Sequence, residues 1–301
     1  MKTLGGRQFW ADVRFFGGWR IQRNSFTGHY RLLDPKDHRH AFGALETCLD
    51  KLAEIKQSRQ LPAMSGKAVI AIHGILRSSK TFTMMRPALE KAGYAVVGFD
   101  YPSSQIEIGE AANYLRQVIE SLDGIEELNF VVHSMGGLVT RAYLKEHGDP
   151  RIKRMVMLGV PNRGAELADL LRKNYAFRLL FGRAGQQLVT DETGLIPTLP
   201  IPDFEFAIVA GGRGHAAGFN PLIAGDDDLV VSVESARLEG AADSMTIRSL
   251  HTFLPANAEA IEATVRFLQT GRLRPEGDRQ PIPRGTDEHQ STEARASQSP
   301  F

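Results

Sequence analysis

A serine in a run of small and apolar residues has the setting of a nucleophile. The run is Val131-Val132-His133-Ser134-Met135-Gly136-Gly137, and it joins a buried apolar stretch to a helical pattern. Such a strand-to-helix turn exposes the hydroxyl, and a glycine two positions after the serine relieves crowding there. Gly136 meets this need, whereas Val132 stands where the G-x-S-x-G pattern has its first glycine. The G-x-S-x-G pattern is thus matched only in part, and we predict Ser134 as the nucleophile.

A serine that attacks an acyl carbon needs backbone N–H groups that stabilise the developing oxyanion. One is the amide of Met135, which follows the serine at the start of its helix. The second is expected after the first strand of the same unit, where Ile70-Ala71-Ile72 leads into His73-Gly74-Ile75. We assign this donor to Ile75, although a simple strand-ending turn would give the same pattern.

The base that activates the serine is expected to be a histidine later in the chain, in the order Ser, Asp or Glu, His. Four histidines follow the serine. His147 falls at the end of the helix, His215 precedes the best acidic loop, and His289 lies in a polar tail. His251 follows an apolar strand and is the predicted base.

The acid is expected in the loop Gly225-Asp226-Asp227-Asp228, which lies before His251. A calcium site is a rival use of these aspartates, but the glycine and the distal glutamate of an EF-hand loop are missing. A solvated turn is the plainer alternative. From position alone, the acid is any one of the three aspartates.

The pattern from Lys67 onward predicts an α/β fold. Short apolar runs alternate with helical stripes, which is typical of a mostly parallel, doubly wound sheet with helices on both faces. One such stripe runs from Tyr114 to Leu122 and another from Ile261 to Leu268. The predicted strands are Ala68–Ile72, Ala95–Phe99, Asn129–Val132, Arg154–Gly159, Phe204–Ala210 and Met245–Ser249.

Composition divides the chain into three parts. Residues 1–65 carry turn signals between short aromatic stretches and then a helical stripe from Leu45 to Ile55, which predicts a separate appendage of a β-meander plus a helix. Residues 66–271 form the main domain. Residues 272–301 are rich in Pro, Arg, Glu, Ser and Gln and are expected to be a disordered tail.

An insertion at about residues 165–203 is the predicted lid of the main domain. An apolar lid would favour an acyl chain in the substrate and leaves contact with a membrane surface open. Packing on the sheet alone is an equally good explanation. Its apolar side chains are Leu167, Leu170, Leu171, Tyr175, Phe177, Leu179, Leu180 and Phe181.

Charge and cysteine usage limit the partners. The formal net charge is +1, which gives no general attraction to nucleic acid. Residues 1–65 hold eleven Lys/Arg against six Asp/Glu, and the rest holds 25 against 29. A solvated basic surface explains this better than an anionic partner, which stays open. Cys48 alone permits no intrachain disulfide, no signal or membrane-spanning stretch stands out, and we expect a cytoplasmic protein of undefined oligomeric state.

These stretches, in this order, resemble bacterial lipase-like α/β-hydrolases over residues 68–272. The resemblance implies that Asp228 is the acid, because Asp228-Leu229-Val230-Val231-Ser232-Val233 matches a loop that reads Asp-Gly-x-Val-Ser-Val in such proteins, with Asp227 as the reserve. It implies His251 again, through His251-Thr252-Phe253. The other matching stretches are His73–Ser79, Gly93-Tyr94, Asp100-Tyr101-Pro102, His133–Val139 and Leu158–Gly164.

The sequence therefore predicts a serine hydrolase that cleaves a small-molecule or lipid-like carboxylic ester. Ser134, His251 and Asp228 would form the triad, and no cofactor or metal is needed. Acyl transfer through the same triad is one alternative. A catalytically inactive scaffold that binds a partner through the basic N-terminal region is the other. We expect the main domain to keep its activity without residues 1–65.

Overall fold

Two sheets organise the chain, a four-stranded antiparallel sheet and a six-stranded parallel sheet. This computed structural model describes residues 7–165, 184–188 and 193–285. The parallel sheet has helices on both faces, so the α/β fold class predicted from the sequence is confirmed.

The N-terminal sheet is the predicted meander. Its strands are adjacent in chain order, and a tight turn at Gly17 and Gly18, both with positive φ, joins the first two. The following helix buries Cys48, Leu52 and Ile55 in the core that it shares with these strands. The elements are β1 (Trp10–Phe16), β2 (Trp19–Asn24), β3 (Tyr30–Leu33), β4 (Arg39–Gly43) and α1 (Leu45–Ser58).

The parallel sheet has the strand order β10-β9-β8-β7-β5-β6. The chain leaves β5 toward one edge and returns at β7 on the other side, which creates a topological switch point where ligands bind in open α/β sheets. The strands are β5 (Gly66–Ile72), β6 (Tyr94–Phe99), β7 (Ile125–His133), β8 (Ile152–Leu158), β9 (Glu205–Gly212) and β10 (Asp243–Arg248). The helices are α2 (Arg86–Lys91), α3 (Ile108–Glu120), α4 (Met135–Glu146), α5 (Val233–Ala236) and α6 (Ala258–Thr270).

Alternate residues of the central strands fill two cores, because side chains of a strand point to opposite faces. Ile70 and Ile72 of β5 pack with α3 and α4, whereas Val69 and Ala71 pack with α2 and α6. Burial on both faces explains why these strands are continuous apolar runs in the sequence.

The N-terminal sheet packs against the main domain. Its apolar residues belong to the same core cluster as those of α3, α4 and one face of the parallel sheet. Strand β1 buries side chains on both of its faces, including Val13 and Phe16. Phe15 N also donates to Ser121 Oγ at 3.0 Å, just after α3. Residues 7–58 therefore complete the main core.

Residues 272–285, the first part of the polar tail, pack against the main domain, whereas the sequence predicts disorder there. Leu273 and Ile282 are buried, and Ile282 N donates to Ala241 O at 2.9 Å. Arg279 pairs with Glu205 at 3.0 Å. Two apolar anchors and a set of ion pairs hold a segment that looks too polar to order on composition alone. Residues 286–301 lie outside the described part of the chain.

Candidate active site

Ser134 occupies a sharp turn between β7 and α4. Its backbone has φ 54° and ψ −131°, a conformation that costs a non-glycine residue about 1–3 kcal/mol. The turn is held by a hydrogen bond from Ser134 N to Leu158 O at 3.0 Å. A Cβ at Gly136 would lie 2.4 Å from Ile72 O, so only glycine lets the helix approach the neighbouring strand here. This is the geometry of a nucleophile elbow.

Val132, the departure from the five-residue pattern, fits beneath this elbow. It pairs with Ile72 and Met157 in the sheet, and its side chain is fully buried in the core cluster that contains α4. The close approach falls instead at Gly137, where a Cβ would lie 2.5 Å from Val160 Cγ2. The elbow thus needs its glycines after the serine, and an apolar residue, Val132, fills the position two residues before it.

The structure brings Ser134, His251 and Asp228 together at the carboxyl end of the parallel sheet. His251 Nε2 lies 2.9 Å from Ser134 Oγ, and His251 Nδ1 lies 2.7 Å from Asp228 Oδ2. A carboxylate at Nδ1 favours the tautomer whose proton is on Nδ1, which leaves Nε2 to accept the hydroxyl proton. Asp228 is fixed in turn by the amides of Val230 and Val231, which donate to Oδ1.

The three neighbouring aspartates have separate roles. Asp226 accepts from Arg213 N and Gly214 N, and so closes the turn after β9. Asp227, the reserve candidate, is fully buried and accepts from the amides of Asn220 and Leu229. Only Asp228 contacts His251. Within the described residues, no group of three or more His, Cys, Asp and Glu is arranged to hold a metal ion.

Leu229 has φ 86°, in the left-handed region that favours glycine. It stands where the resembling proteins have glycine after the acidic residue. The backbone therefore keeps the turn and accepts a leucine at the cost of local strain. This conformation aims the amides of Val230 and Val231 at the Asp228 carboxylate.

Two glycines make room for the histidine and the acid. A Cβ at Gly159, which follows β8, would lie 3.2 Å from both Asp228 Oδ2 and His251 Nδ1. A Cβ at Gly211 in β9 would lie 2.8 Å from Asp228 Cβ. Sequence reasoning gave these glycines no role at the site, because their closeness to the pair depends on the order of the strands.

The turn after β5 lies directly against the serine. A Cβ at Gly74 would be 2.8 Å from Ser134 Cβ, so a larger residue would push the turn away. The hydrogen-bond pattern given by the described residues contains no acceptor for the amides of Ile75 and Met135. Both amides are thus available to a bound group, as the sequence-based assignment requires.

His73 fixes that turn from below. Its Nδ1 lies 2.7 Å from Gly74 O, and Tyr101 N donates to its Nε2 at 3.4 Å. Tyr101 also donates through its hydroxyl to His73 O at 2.7 Å and stacks on the imidazole. This pattern fits a neutral ring that donates from Nδ1. The histidine before Gly74 is therefore a support of the turn, a role that the sequence did not reveal.

His133, next to the serine, supports the other histidine. Its Nε2 lies 3.0 Å from His251 O, and the two rings are 4.8 Å apart between centroids. Burial and the neighbouring His251 keep the pKa of His133 well below its ordinary value of 6.5. A neutral His133 can donate to the carbonyl without placing a positive charge beside the His251 ring. Its position before Ser134 was the only sequence signal for this contact.

The remaining histidines lie elsewhere. His147 follows the last residue of α4, and His215 is exposed in the loop after β9. His289 and the apolar residues of the predicted lid, Leu167 to Phe181, lie outside the described residues. The described parts of the insertion pack on the core, for example through Leu188 and Leu199. Arg141 donates to Leu199 O at 2.8 Å.

No helix among the described ranges has both the length and the apolar character needed to cross a bilayer.

Comparisons with known proteins agree on the fold. A family model described as alpha/beta hydrolase fold matches residues 67–190. The mature form of the lipase BlEst2 from Bacillus licheniformis is 20% identical, over 70% of this chain and 92% of that one, with a TM-score of 0.50. A gene product from Listeria innocua is 17% identical, over 73% and 98% of the two chains, with a TM-score of 0.49. At 20% identity, the likeness to BlEst2 concerns the fold alone.

Proposed function

We propose that the chain, whose residues 67–190 match the family model of the α/β-hydrolase fold, is a serine hydrolase of this superfamily that cleaves carboxylic esters. Ser134 is the nucleophile, His251 the general base and acid, and Asp228 the carboxylate that orients the histidine. The observation that carries the proposal is the 2.9 Å separation of His251 Nε2 and Ser134 Oγ at a strained elbow.

The first half of the reaction forms an acyl-enzyme. His251 Nε2 takes the proton of Ser134 as Oγ attacks the ester carbonyl carbon, and Asp228 stabilises the imidazolium that results. The tetrahedral oxyanion accepts hydrogen bonds from the amides of Ile75 and Met135. One such donor is worth about 3–4 kcal/mol of barrier where it has been measured. Collapse then expels the alcohol, which takes its proton from His251.

The second half of the reaction hydrolyses the acyl-enzyme and regenerates the free enzyme. A water molecule gives a proton to His251 Nε2 and attacks the acyl carbon, and the same two amides stabilise the second oxyanion. Ser134 then leaves with the proton from His251, and the carboxylic acid is released. The steps need no group beyond these side chains and amides.

An ester is the first substrate class to test because a lipase shares this fold and because the triad chemistry suits an acyl carbon with an alkoxide leaving group. The experiment is hydrolysis of p-nitrophenyl esters of increasing acyl length by the full chain. We expect Ser134→Ala to lower kcat by about 10⁴-fold or more. The control is Ser65→Ala, at an exposed serine, which should keep wild-type turnover.

Labelling by a fluorophosphonate probe tests the nucleophile without assuming a substrate. We expect one modification, located on Ser134 by peptide mapping, and none in folded Ser134→Ala. A folded wild-type chain that resists the probe would exclude the proposed nucleophile. An added alcohol separates hydrolysis from transfer, because formation of a new ester in preference to free acid would replace the hydrolase assignment with acyl transfer.

A further inference from the structure

A cavity of about 380 Å³ lies where the N-terminal sheet meets β6, the edge strand of the parallel sheet. Strands β1, β2 and β3 contribute Phe15, Arg20 and Arg31 to its lining. The main domain contributes Ser79 and Gly98, among others. Ser134, His251 and Asp228 do not line it. The cavity therefore belongs to the junction between the two sheets.

The cavity carries an excess of positive charge. Arg20, Arg31, Lys80 and Arg86 line it, against the carboxylates of Asp37 and Asp100. Both carboxylates already bind cations of the cavity. Arg20 pairs with both, at 2.8 Å for Asp100, and Lys80 pairs with Asp37 at 3.2 Å. Two of the four cations thus remain without a carboxylate of the cavity.

Arg31 is the first of these two. It is 7% exposed, and its Nε donates to Gln22 Oε1 at 2.9 Å. Its guanidinium lies 4.0 Å above the Trp10 ring. None of the residues in the described ranges accepts a hydrogen bond from its two amino groups. Burial, and then the charge of Arg20, lower its pKa to about 10, so it stays charged at neutral pH.

Gln22 fixes the orientation of the Arg31 guanidinium before any ligand binds. The Gln22 amide nitrogen donates to Asp12 Oδ1 at 2.8 Å, which leaves its oxygen turned toward Arg31 Nε. Both Gln22 and Asp12 are buried. A guanidinium fixed in this way loses little side-chain entropy when an anion binds.

Arg86 is the second cation, on the rim. Its Nη1 donates to Val96 O, in the cavity lining, at 3.0 Å. The same nitrogen contacts Glu90, which does not line the cavity, at 3.2 Å. Its Nη2 approaches Gly98, where a Cβ would lie 3.5 Å away. The same point is 2.7 Å from Ser79 Cβ, so the absence of a side chain at position 98 lets Ser79 and Arg86 lie close to β6. Arg86 and the half-exposed Lys80 therefore face the entrance.

We propose that this junction cavity binds a small molecule through a phosphate group. Guanidinium groups offer paired N–H donors that match the oxygens of phosphate, and a buried, preset arginine suits such an anion. The volume exceeds what a phosphate alone requires and leaves room for a small organic body beside Phe15 and Leu33. The excess of basic residues in the N-terminal region thus gains a specific role. This inference does not depend on the reaction at Ser134.

The test is calorimetric titration of the full chain with inorganic phosphate, the head-group probe, in chloride buffer at constant ionic strength. We expect saturable binding to the wild type, weakened about tenfold or more in Arg86→Gln and in Lys80→Gln, as expected for loss of a charged donor. Both positions are partly exposed, so these variants should fold. Arg31→Gln should weaken binding further, and a wild-type melting temperature would show that it is folded.

Arg116→Gln is the matched control. Arg116, like Arg86, is a partly exposed helix residue paired with a glutamate four positions later. It should bind phosphate as the wild type does. Absence of saturable binding to the wild type would overturn the proposal, as would equal affinity in Arg86→Gln and Arg116→Gln. Loss of binding in Ser134→Ala would place the phosphate at the serine and also overturn it.

Discussion

Asp12 of β1 and Asp100, just after β6, are joined by two hydrogen bonds. Asp12 N donates to Asp100 O at 2.8 Å, and Asp100 N donates to Asp12 Oδ2 at 2.7 Å. Burial raises the pKa of Asp12, whereas the charge of Arg20 outweighs burial at Asp100 and lowers the pKa of that carboxyl. His73 Nε2 is 3.8 Å from Asp100 Oδ1. The N-terminal sheet is thereby fixed beside the residues that support the Gly74 turn.

Deletion of residues 1–65 should unfold the chain or leave it aggregated. The deletion removes one side of the core cluster on α3 and exposes its apolar residues to water. The measurements are soluble yield, circular dichroism and thermal unfolding, compared with the full chain. This outcome replaces the expectation from sequence that the main domain keeps its activity alone. A truncated chain that unfolds cooperatively with wild-type kcat would contradict it.

Asp228→Asn should lower kcat strongly and stability little. The amide has a similar shape but cannot hold the Nδ1–H tautomer of His251, which costs about 10⁴-fold in a comparable triad. Asp227→Asn is the matched variant, one residue away. Since Asp227 accepts two backbone amides in a buried loop, it should lose about 1–3 kcal/mol of stability and keep most of kcat at low temperature. The reverse pattern would make Asp227 the acid.

Leu229→Gly should be more stable than Leu229→Ala by about 1 kcal/mol. Both variants lose the leucine side chain, but only glycine adopts φ 86° without strain. Denaturant unfolding of the two variants gives the difference. Glu262, exposed within α6, is the control position. There the alanine variant should be more stable than the glycine variant by about 0.5–1 kcal/mol. Equal stability of the two Leu229 variants would argue against stored strain at this turn.

Acidification below about pH 6.5 should destabilise the wild type through His133. The folded state holds its pKa well below 6.5, so only the unfolded chain takes up this proton as the pH falls. The free energy of unfolding therefore keeps its full value from this histidine above pH 6.5. Below that pH it falls by up to about 1.4 kcal/mol per pH unit.

His133→Gln tests this, because glutamine keeps an N–H donor and cannot be charged. The free energy of unfolding, compared at pH 7.5 and 5.5, should depend less on pH in this variant than in the wild type. His215→Gln, at an exposed histidine, should keep the wild-type dependence. An unchanged dependence in His133→Gln would show that His133 takes up the proton in the folded chain.

The sequence by itself determined the α/β fold and the elements that carry the site. Apolar runs buried on both faces specify parallel strands, and the residue types at their ends limit the chemistry that can follow. Ser134 and His251 were reached in this way. Asp228 came from the resemblance, since position alone did not separate it from its two neighbours.

Only the tertiary structure decided how the parts meet. In it, each of the three aspartates contacts a different partner. The path of the loop after β9 decides which carboxylate reaches His251. The tertiary structure also joined the N-terminal sheet to the main core and formed the cationic cavity. These contacts link residues far apart in the chain, such as Asp12 and Asp100, and local patterns carry no information on such distances.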